Sequence, residues 1–301
     1  MKNIAWLIPT HRARFSIYAK HYELTKKYAP SFKHFVVVQS TQEEVDLREL
    51  TDSDLNIINL EHFFSQLQIS TFLKTRSIIN VKKLFGLMQI YKNFDQVIIS
   101  DDEIHLYDLL TPQDILKLQN NYYAFHKVSN KYLERIISSP LRILDNDAEK
   151  DIIFKIFALN NFYGWFSNLP VYESKYLPAF FSRYGLSGIS DFDKITFEDF
   201  DFILYQYSLY LDNFDDVKFI FYNWDLPDLG GSLWEMYYID VSYNTFVEQD
   251  LEKNMILWIP NERCKSIVPS AKMVFNIDRD YTPSRFSVFK IFRKLKQFVR
   301  K

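Results

Sequence analysis

Glycine is scarce in this chain, six residues in 301, and none is arranged as GxGxxG or GxxxxGK[ST]. A glycine-lined dinucleotide turn and a P-loop are therefore excluded, because both need backbone amides brought close to phosphate by residues without a Cβ. A nucleotide, if bound, must be held by side chains. Cysteine is limited to Cys264, which rules out an internal disulfide and any cysteine-rich zinc centre and suits a reducing compartment. No stretch of about 18 apolar residues occurs, so no membrane-spanning helix is expected. The N-terminus lacks the charged, apolar and small-residue regions of a signal peptide, and none is expected. Charge of one sign is also lacking: the net charge is −2, which argues against electrostatic binding of nucleic acid. Histidine is missing after His126.

What is present is an ordinary globular balance, 48% hydrophobic and 25% charged, enough for a sizeable core. Aromatic residues reach 18%, which fits either compositional bias or a surface that stacks on sugar rings. Ile4–Ile8, Phe35–Val38, Leu55–Leu60 and Val97–Ile99 are short continuous apolar runs, the pattern of strands buried on both faces. Helical periodicity separates them: residues 15–29, Glu43–Leu50, and an amphipathic helix over 74–92. Strand–helix alternation at this spacing predicts βαβ units and a mainly parallel sheet flanked by helices. Ligands in such sheets sit at the carboxyl ends of strands, where Thr10-His11, Gln39-Ser40 and Asp101 are expected. Further on, residues 148–162 and 196–211 read as helices, 217–223 as a strand, and 164–178 as loop with a strand at Leu169–Tyr172.

Ser100-Asp101-Asp102-Glu103 places three consecutive acids directly after a buried strand. Adjacent carboxylates raise one another's pKa unless a cation is near. A hard divalent ion, Mn²⁺ or Mg²⁺, would relieve the repulsion and bridge to a pyrophosphate; a solvated acidic turn is the simpler alternative. Lys74, Arg76, Lys82 and Lys83 load the preceding helix, and Arg12 and Arg14 follow the first strand. Each is either a diphosphate contact or a solvated cation.

These elements resemble the GT-A glycosyltransferases: Ile8-Pro9-Thr10-His11-Arg12 after strand one, the Lys82-Lys83-Leu84-Phe85-Gly86-Leu87 helix, and the apolar strand running into Asp101-Asp102-Glu103. The likeness covers roughly residues 4–110. It implies a GT-A-type (Rossmann-like) α/β fold with a nucleotide-sugar half at 1–110 and an acceptor half at 111–282. The donor site is expected on Pro9, Thr10, Arg12, Arg14, Lys74, Arg76, Lys83, Asp101 and Asp102, and the resemblance implies that Asp101 lies near the ribose and metal. The family's acidic motif is usually DxD; Asp101 and Glu103 fill its two positions and would ligate the metal, with Glu103 a departure from the usual aspartate. No histidine is available late in the chain to complete that shell. Gly164–Tyr172 is similar to segments of bacterial surface-polysaccharide transferases. Asp225–Glu235 is similar to the acceptor region, where a carboxylate acts as general base in inverting members. Glu235, then Asp228, then Asp240 are the candidates, and each also fits a turn or cap. Trp165 and Trp234 are candidates for sugar stacking or for core.

Pro283–Lys301 carries Arg285, Lys290, Arg293, Lys294, Lys296, Arg300 and Lys301, no acid, and Phe289, Phe292, Leu295 and Val299 at helical spacing. Such a basic amphipathic helix suits an anionic membrane surface, or docking on the protein with its cations solvated. The expected enzyme is a metal-dependent transferase of a UDP-sugar or related donor to a glycan or lipid-linked acceptor, cytoplasmic and peripheral at the inner membrane face. The alternatives are a nucleotidyltransferase, for which the loop after strand one lacks the glycine, and a silent sugar-binding scaffold.

Overall fold

The computed structural model describes residues 3–51, 54–102, 104–106, 109–116, 121–126, 131–160, 162–165, 170–222, 256–257 and 273–275. Its centre is a five-stranded sheet made from β1 (Ile4–Pro9), β2 (Lys33–Val38), β3 (Asn56–Asn59), β4 (Gln96–Ile99) and, further along the chain, the strand Val171–Glu173. The order is β3-β2-β1-β4 followed by that last strand. The first four run parallel, with Leu7 opposite Phe35 on one side and Ile99 on the other, and the fifth is antiparallel to β4.

Alternation along each strand assigns side chains to two faces. Ala5, Leu7, Val37, Val97 and Ile99 enter one apolar cluster; Ile4, Trp6, Ile8, Val36, Val38 and Ile98 enter the other. Helices α1 (Phe15–Tyr28) and α2 (Thr41–Leu50) cover the second face through Phe15, Tyr18, Tyr22 and Leu47. The first face is covered by α3 (Gln66–Lys74), α4 (Ile78–Ile90), and later by helices through Phe180 and Leu204. Both faces are dry, so continuous apolar strands are what the fold demands. The result is the expected α/β architecture, a mainly parallel sheet between helical layers.

The remaining elements follow in order. β5 (Ile104–Leu106), α5 (Pro112–Leu116), β6 (Asn121–His126), α6 (Lys131–Ile143), α7 (Asp147–Ile153), β7 (Phe162–Trp165), β8 (Val171–Glu173, the fifth strand above), α8 (Leu177–Arg183), α9 (Asp201–Asp212), β9 (Lys218–Tyr222), β10 (Ile256–Leu257) and β11 (Met273–Phe275) complete them. Two small sheets, β10-β11-β5 and β7-β6-β9, join the main one among the described residues.

Three expectations are corrected here. The helix expected over 74–92 is α4, which starts later, at Ile78, after α3 has ended at Lys74. Arg76 between them is left-handed with φ +61°, a conformation a non-glycine residue adopts only at a cost. Nor is α4 amphipathic: Asn80, Val81, Lys82, Leu84, Phe85, Gly86, Leu87 and Ile90 are all buried. The helix expected over 148–162 ends in a π-helical turn at Phe154–Ala158, and Phe162 already belongs to β7. The helix expected over 196–211 starts at Asp201. The segments 223–255 and 283–301 lie outside the described residues, and with them the acceptor-region acids and the basic tail.

Candidate functional site

Because β1, β2 and β4 are parallel, their carboxyl ends share one edge. β1 pairs with β2 on one side and, by a return crossing of the chain, with β4 on the other. Open α/β sheets leave a crevice at such a switch point, since the connections from neighbouring strands depart in opposite directions. The residues that follow β1 and β4 are Thr10–Arg14 and Ser100–Asp102.

Thr10 joins the two ends. Its hydroxyl donates to Asp102 Oδ2 at 2.8 Å, its amide donates to the Val37 carbonyl, and its own carbonyl accepts from Lys82 Nζ at 2.5 Å. Asp102 is buried, and its other oxygen accepts from Arg14 Nε at 2.7 Å and from Arg14 Nη2. Burial pushes the Asp102 carboxyl above its ordinary value, while Arg14 and Thr10 hold it down in part and Asp101 adds to the rise. A charge-assisted fork of this kind is what makes a buried carboxylate tolerable.

Lys82 and Lys83 reach the site because α4 returns antiparallel to the strands, so its early turns meet the carboxyl edge. Lys82 is 3% exposed and lies 3.8 Å from Glu43 Oε2. Burial lowers its pKa to about 8 against the support of Glu43 and Asp102. Glu43 in turn accepts from the amides of Gln39 at 2.8 Å and Arg12 at 3.3 Å, tying the loops after β2 and β1 together. Ser40 caps the same helix by accepting from the Glu43 amide. His11 stands at the rim with its pKa lowered by burial and by the neighbouring charges of Lys82 and Arg14.

Lys83 lies at the same edge with its side chain 14% exposed. Its ammonium is 3.2 Å from Asp101 Oδ1 and 4.0 Å from Asp201 Oδ1. Burial opposes its charge, but Asp101 and Asp201 outweigh that and raise its pKa. Asp101 is the open member, with a side chain 38% exposed.

The first acidic pair thus behaves asymmetrically. Asp102 is structural, with both oxygens engaged by protein donors, and Asp101 is presented to solvent. Within the protein, Arg14 pairs with Asp102 and Lys83 with Asp101, and both cations ease the repulsion between the two acids. Among the described residues no three His, Cys, Asp or Glu side chains form a group able to hold a metal ion. Asp101 offers one suitable carboxylate, and Glu103, its expected partner, lies outside the described residues.

Of the other expected residues, Pro9 ends β1, buried and paired with Val37. Arg12 is exposed and pairs with Asp46 Oδ2 at 2.9 Å. Lys74 and Arg76 are exposed at the end of α3 and in the turn after it, on a different element from Lys82 and Lys83, so the single cationic face expected for 74–92 does not form. Trp165 lies in β7 opposite Tyr123. Asp228, Trp234, Glu235 and Asp240 lie outside the described residues. Glu43 and Asp201 also belong to the site and are not among the residues expected above. Ser40-Thr41-Gln42-Glu43 is a capping signature that announces Glu43 at a helix start, and Asp201 is an acid set inside the apolar run Phe200–Leu204.

No family model matches the chain, and no curated protein matches it. Solved structures similar to it include the galactosyltransferase LgtC in complex with donor and acceptor sugar analogs, with a TM-score of 0.43 and 9% identity over 97% of this chain and 94% of that one. Another is the glycosyltransferase GlyE in Streptococcus pneumoniae TIGR4, with a TM-score of 0.39 and 12% identity over 98% of this chain and 60% of that one. A third is 4-diphosphocytidyl-2C-methyl-D-erythritol synthase from Anaerococcus prevotii DSM 20548, with a TM-score of 0.34 and 13% identity over 81% and 97%. At such low similarity none of them assigns a role to a residue here.

Proposed function

We propose that the chain is a nucleotide-sugar-dependent glycosyltransferase, taking a UDP-sugar or related donor and passing the sugar to a glycan acceptor of the surface-polysaccharide or lipooligosaccharide kind. The observation that carries this reading is the placement of Asp101 and Lys83. An open carboxylate and an ammonium stand together at the switch point of a parallel sheet, above a buried Thr10–Asp102–Arg14 brace. In this reading Lys83 meets the donor diphosphate, Asp101 faces the ribose and metal, and the brace keeps the loop after β1 rigid beneath the nucleotide.

A divalent ion, Mn²⁺ or Mg²⁺, would be held by Asp101 together with Glu103, and would supply Lewis-acid stabilisation of the departing nucleoside diphosphate. Glu235, Asp228 and Asp240 remain the proposed general bases, in that order, and Trp165 and Trp234 the proposed sugar-stacking residues. A nucleotidyltransferase would carry a glycine in the loop after β1, where this chain has Thr10 with its side chain buried. The basic segment 283–301 would hold the enzyme at an anionic cytoplasmic leaflet. Co-sedimentation with phosphatidylglycerol vesicles tests that part, and binding unchanged by removal of residues 283–301 refutes it.

The deciding experiment is thermal-shift screening of nucleotides and nucleotide sugars with and without Mn²⁺. Stabilisation by one nucleotide that depends on the metal is expected, and ligand at 100 times its Kd contributes about 2.7 kcal/mol. Asp101→Asn with Glu103→Gln should abolish both the shift and sugar transfer. Nucleotides that never stabilise the native protein, with metal or without, would end the proposal.

A further inference from the structure

Asp201 opens α9 and is 1% exposed, the one acid among Phe202, Ile203 and Leu204, which are all core. One of its oxygens accepts from the hydroxyl of Tyr172, itself fully buried on β8. The other, Oδ1, makes no hydrogen bond and points toward Lys83 Nζ, 4.0 Å away. Lys83 is the cation paired with it among the described residues. A buried carboxylate oxygen without a donor is costly, and such groups persist where something else is gained.

The geometry shows what is gained. The Lys83 ammonium is suspended between two carboxylates, Asp201 behind it in the core and Asp101 before it at the edge. A lysine is a point charge on a flexible four-carbon stem, so one partner fixes it poorly. If Asp101 is drawn to another cation or to the ribose, only Asp201 remains to keep the ammonium in place. Asp201 cannot be drawn away, because it is walled in and tied to Tyr172.

We propose that Asp201 is a positioning residue, a rear anchor that holds the Lys83 ammonium at the sheet edge so that it meets a diphosphate there. The proposal deepens the transferase reading and rests on it for the identity of the ligand; the placement of Lys83 itself can be tested without any ligand.

UDP and uridine are the probes, their affinities measured by calorimetry for the native protein, Asp201→Asn, Lys83→Met and the double variant. Asn keeps the shape of Asp201 and still accepts from Tyr172, but removes the charge. UDP affinity is expected to fall roughly tenfold in Asp201→Asn with uridine affinity unchanged, because only the diphosphate uses the ammonium. In the Lys83→Met background Asp201→Asn should add nothing, since both act through one group. Equal losses for UDP and uridine, or additive losses in the double variant, overturn the proposal.

A second readout needs no ligand. The lysine ammonium groups are observed by ¹H–¹⁵N NMR, with the Lys83 signal identified by its disappearance in Lys83→Met. An immobilised ammonium exchanges its protons slowly, so the signal should be present in the native protein and lost in Asp201→Asn. Should the native protein bind no nucleotide, the transferase reading falls alone and this signal decides, with persistence in Asp201→Asn counting against the anchor. Should Asp201→Asn fail to fold, Tyr172→Phe loosens the same carboxylate and is expected to weaken the Lys83 signal. An unaltered signal in that variant overturns the proposal.

Discussion

Gly86 of α4 packs so closely on Val37 of β2 that a Cβ placed on the glycine would stand 2.8 Å from Val37 Cγ2, and 2.9 Å from Leu7 Cδ2. Real Cβ atoms do not approach that closely, and both neighbours are themselves buried. The contact sets how near the helix lies to the sheet. Lys82 and Lys83 are one turn earlier on the same helix, and their reach to Thr10 and Asp101 depends on it.

Gly86→Ala should therefore destabilise the protein, although alanine is the better helix former by about 1 kcal/mol. Forcing a methyl into a packed interface costs about 1–3 kcal/mol, so a net loss is expected in urea unfolding. Because α4 must move outward, the affinity for nucleotide should fall as well. A variant as stable as the native protein would mean that helix and sheet can separate freely there.

Asp101 and Asp102 are adjacent in sequence but should respond oppositely to substitution. Asp101→Asn, at a half-exposed position, should change stability by less than about 1 kcal/mol while removing nucleotide binding. Arg14→Ala leaves Asp102 buried without its cation and should cost about 3–5 kcal/mol at neutral pH. The sign with pH follows from the raised pKa of Asp102. The native state holds that proton more tightly than the unfolded chain, so acidification toward the ordinary carboxylate range should restore part of the loss. Urea midpoints of Arg14→Ala and the native protein at pH 7 and pH 5 check this, and a gap that widens on acidification contradicts it.

Lys82 gives a signature at the alkaline side. Its pKa falls from 10.5 to about 8 on folding, so between those values the unfolded chain carries a proton that the native state has released. Stability rises with pH wherever the unfolded state binds more protons. The native protein should accordingly gain on Lys82→Met by on the order of 3 kcal/mol between about pH 8 and 10.5. Taking the difference between the two proteins removes the opposing contribution of Lys83, whose raised pKa makes its support fade as pH climbs. A difference that stays flat across this window would show that Lys82 is not neutralised on burial.

His34 acts at the acid side. Burial lowers its pKa from 6.5 to about 4, against a hydrogen bond with the Ala29 carbonyl. Between those values the unfolded chain binds a proton that the native state refuses, so this contribution to stability is complete at neutral pH and lost progressively from about pH 6.5 down to 4. His34→Gln should flatten the acid limb of the stability profile over that range. An acid limb identical in both proteins would place the loss elsewhere.

The strands of the main sheet were legible because their environment is uniform. Ile4–Ile8 and Val97–Ile99 are apolar at every position, as burial on both faces requires, and short apolar runs between polar turns admit little else. Long helices were legible whether half-buried or wholly buried: α1 shows its period, and α4 and α9, buried nearly all round, still read as helices, although burial hid where each begins, at Ile78 and at Asp201. β6 mixes aromatic and polar residues without a clear period and is not among the expected strands; α6 is not among the expected helices either, although residues 131–143 carry a pronounced helical period.

Sequence alone determined that acids follow a buried strand and that cations flank it, and hence that the two meet near a strand end, because a parallel sheet puts all such ends on one edge. Which acid is open and which is locked was decided by tertiary structure. Asp102 is taken by Arg14 and Thr10, from the other strand end, while Asp101 is left to Lys83. Asp201 lies a hundred residues from Asp101 and enters the site only because α9 packs behind α4, a long-range contact that no local pattern encodes.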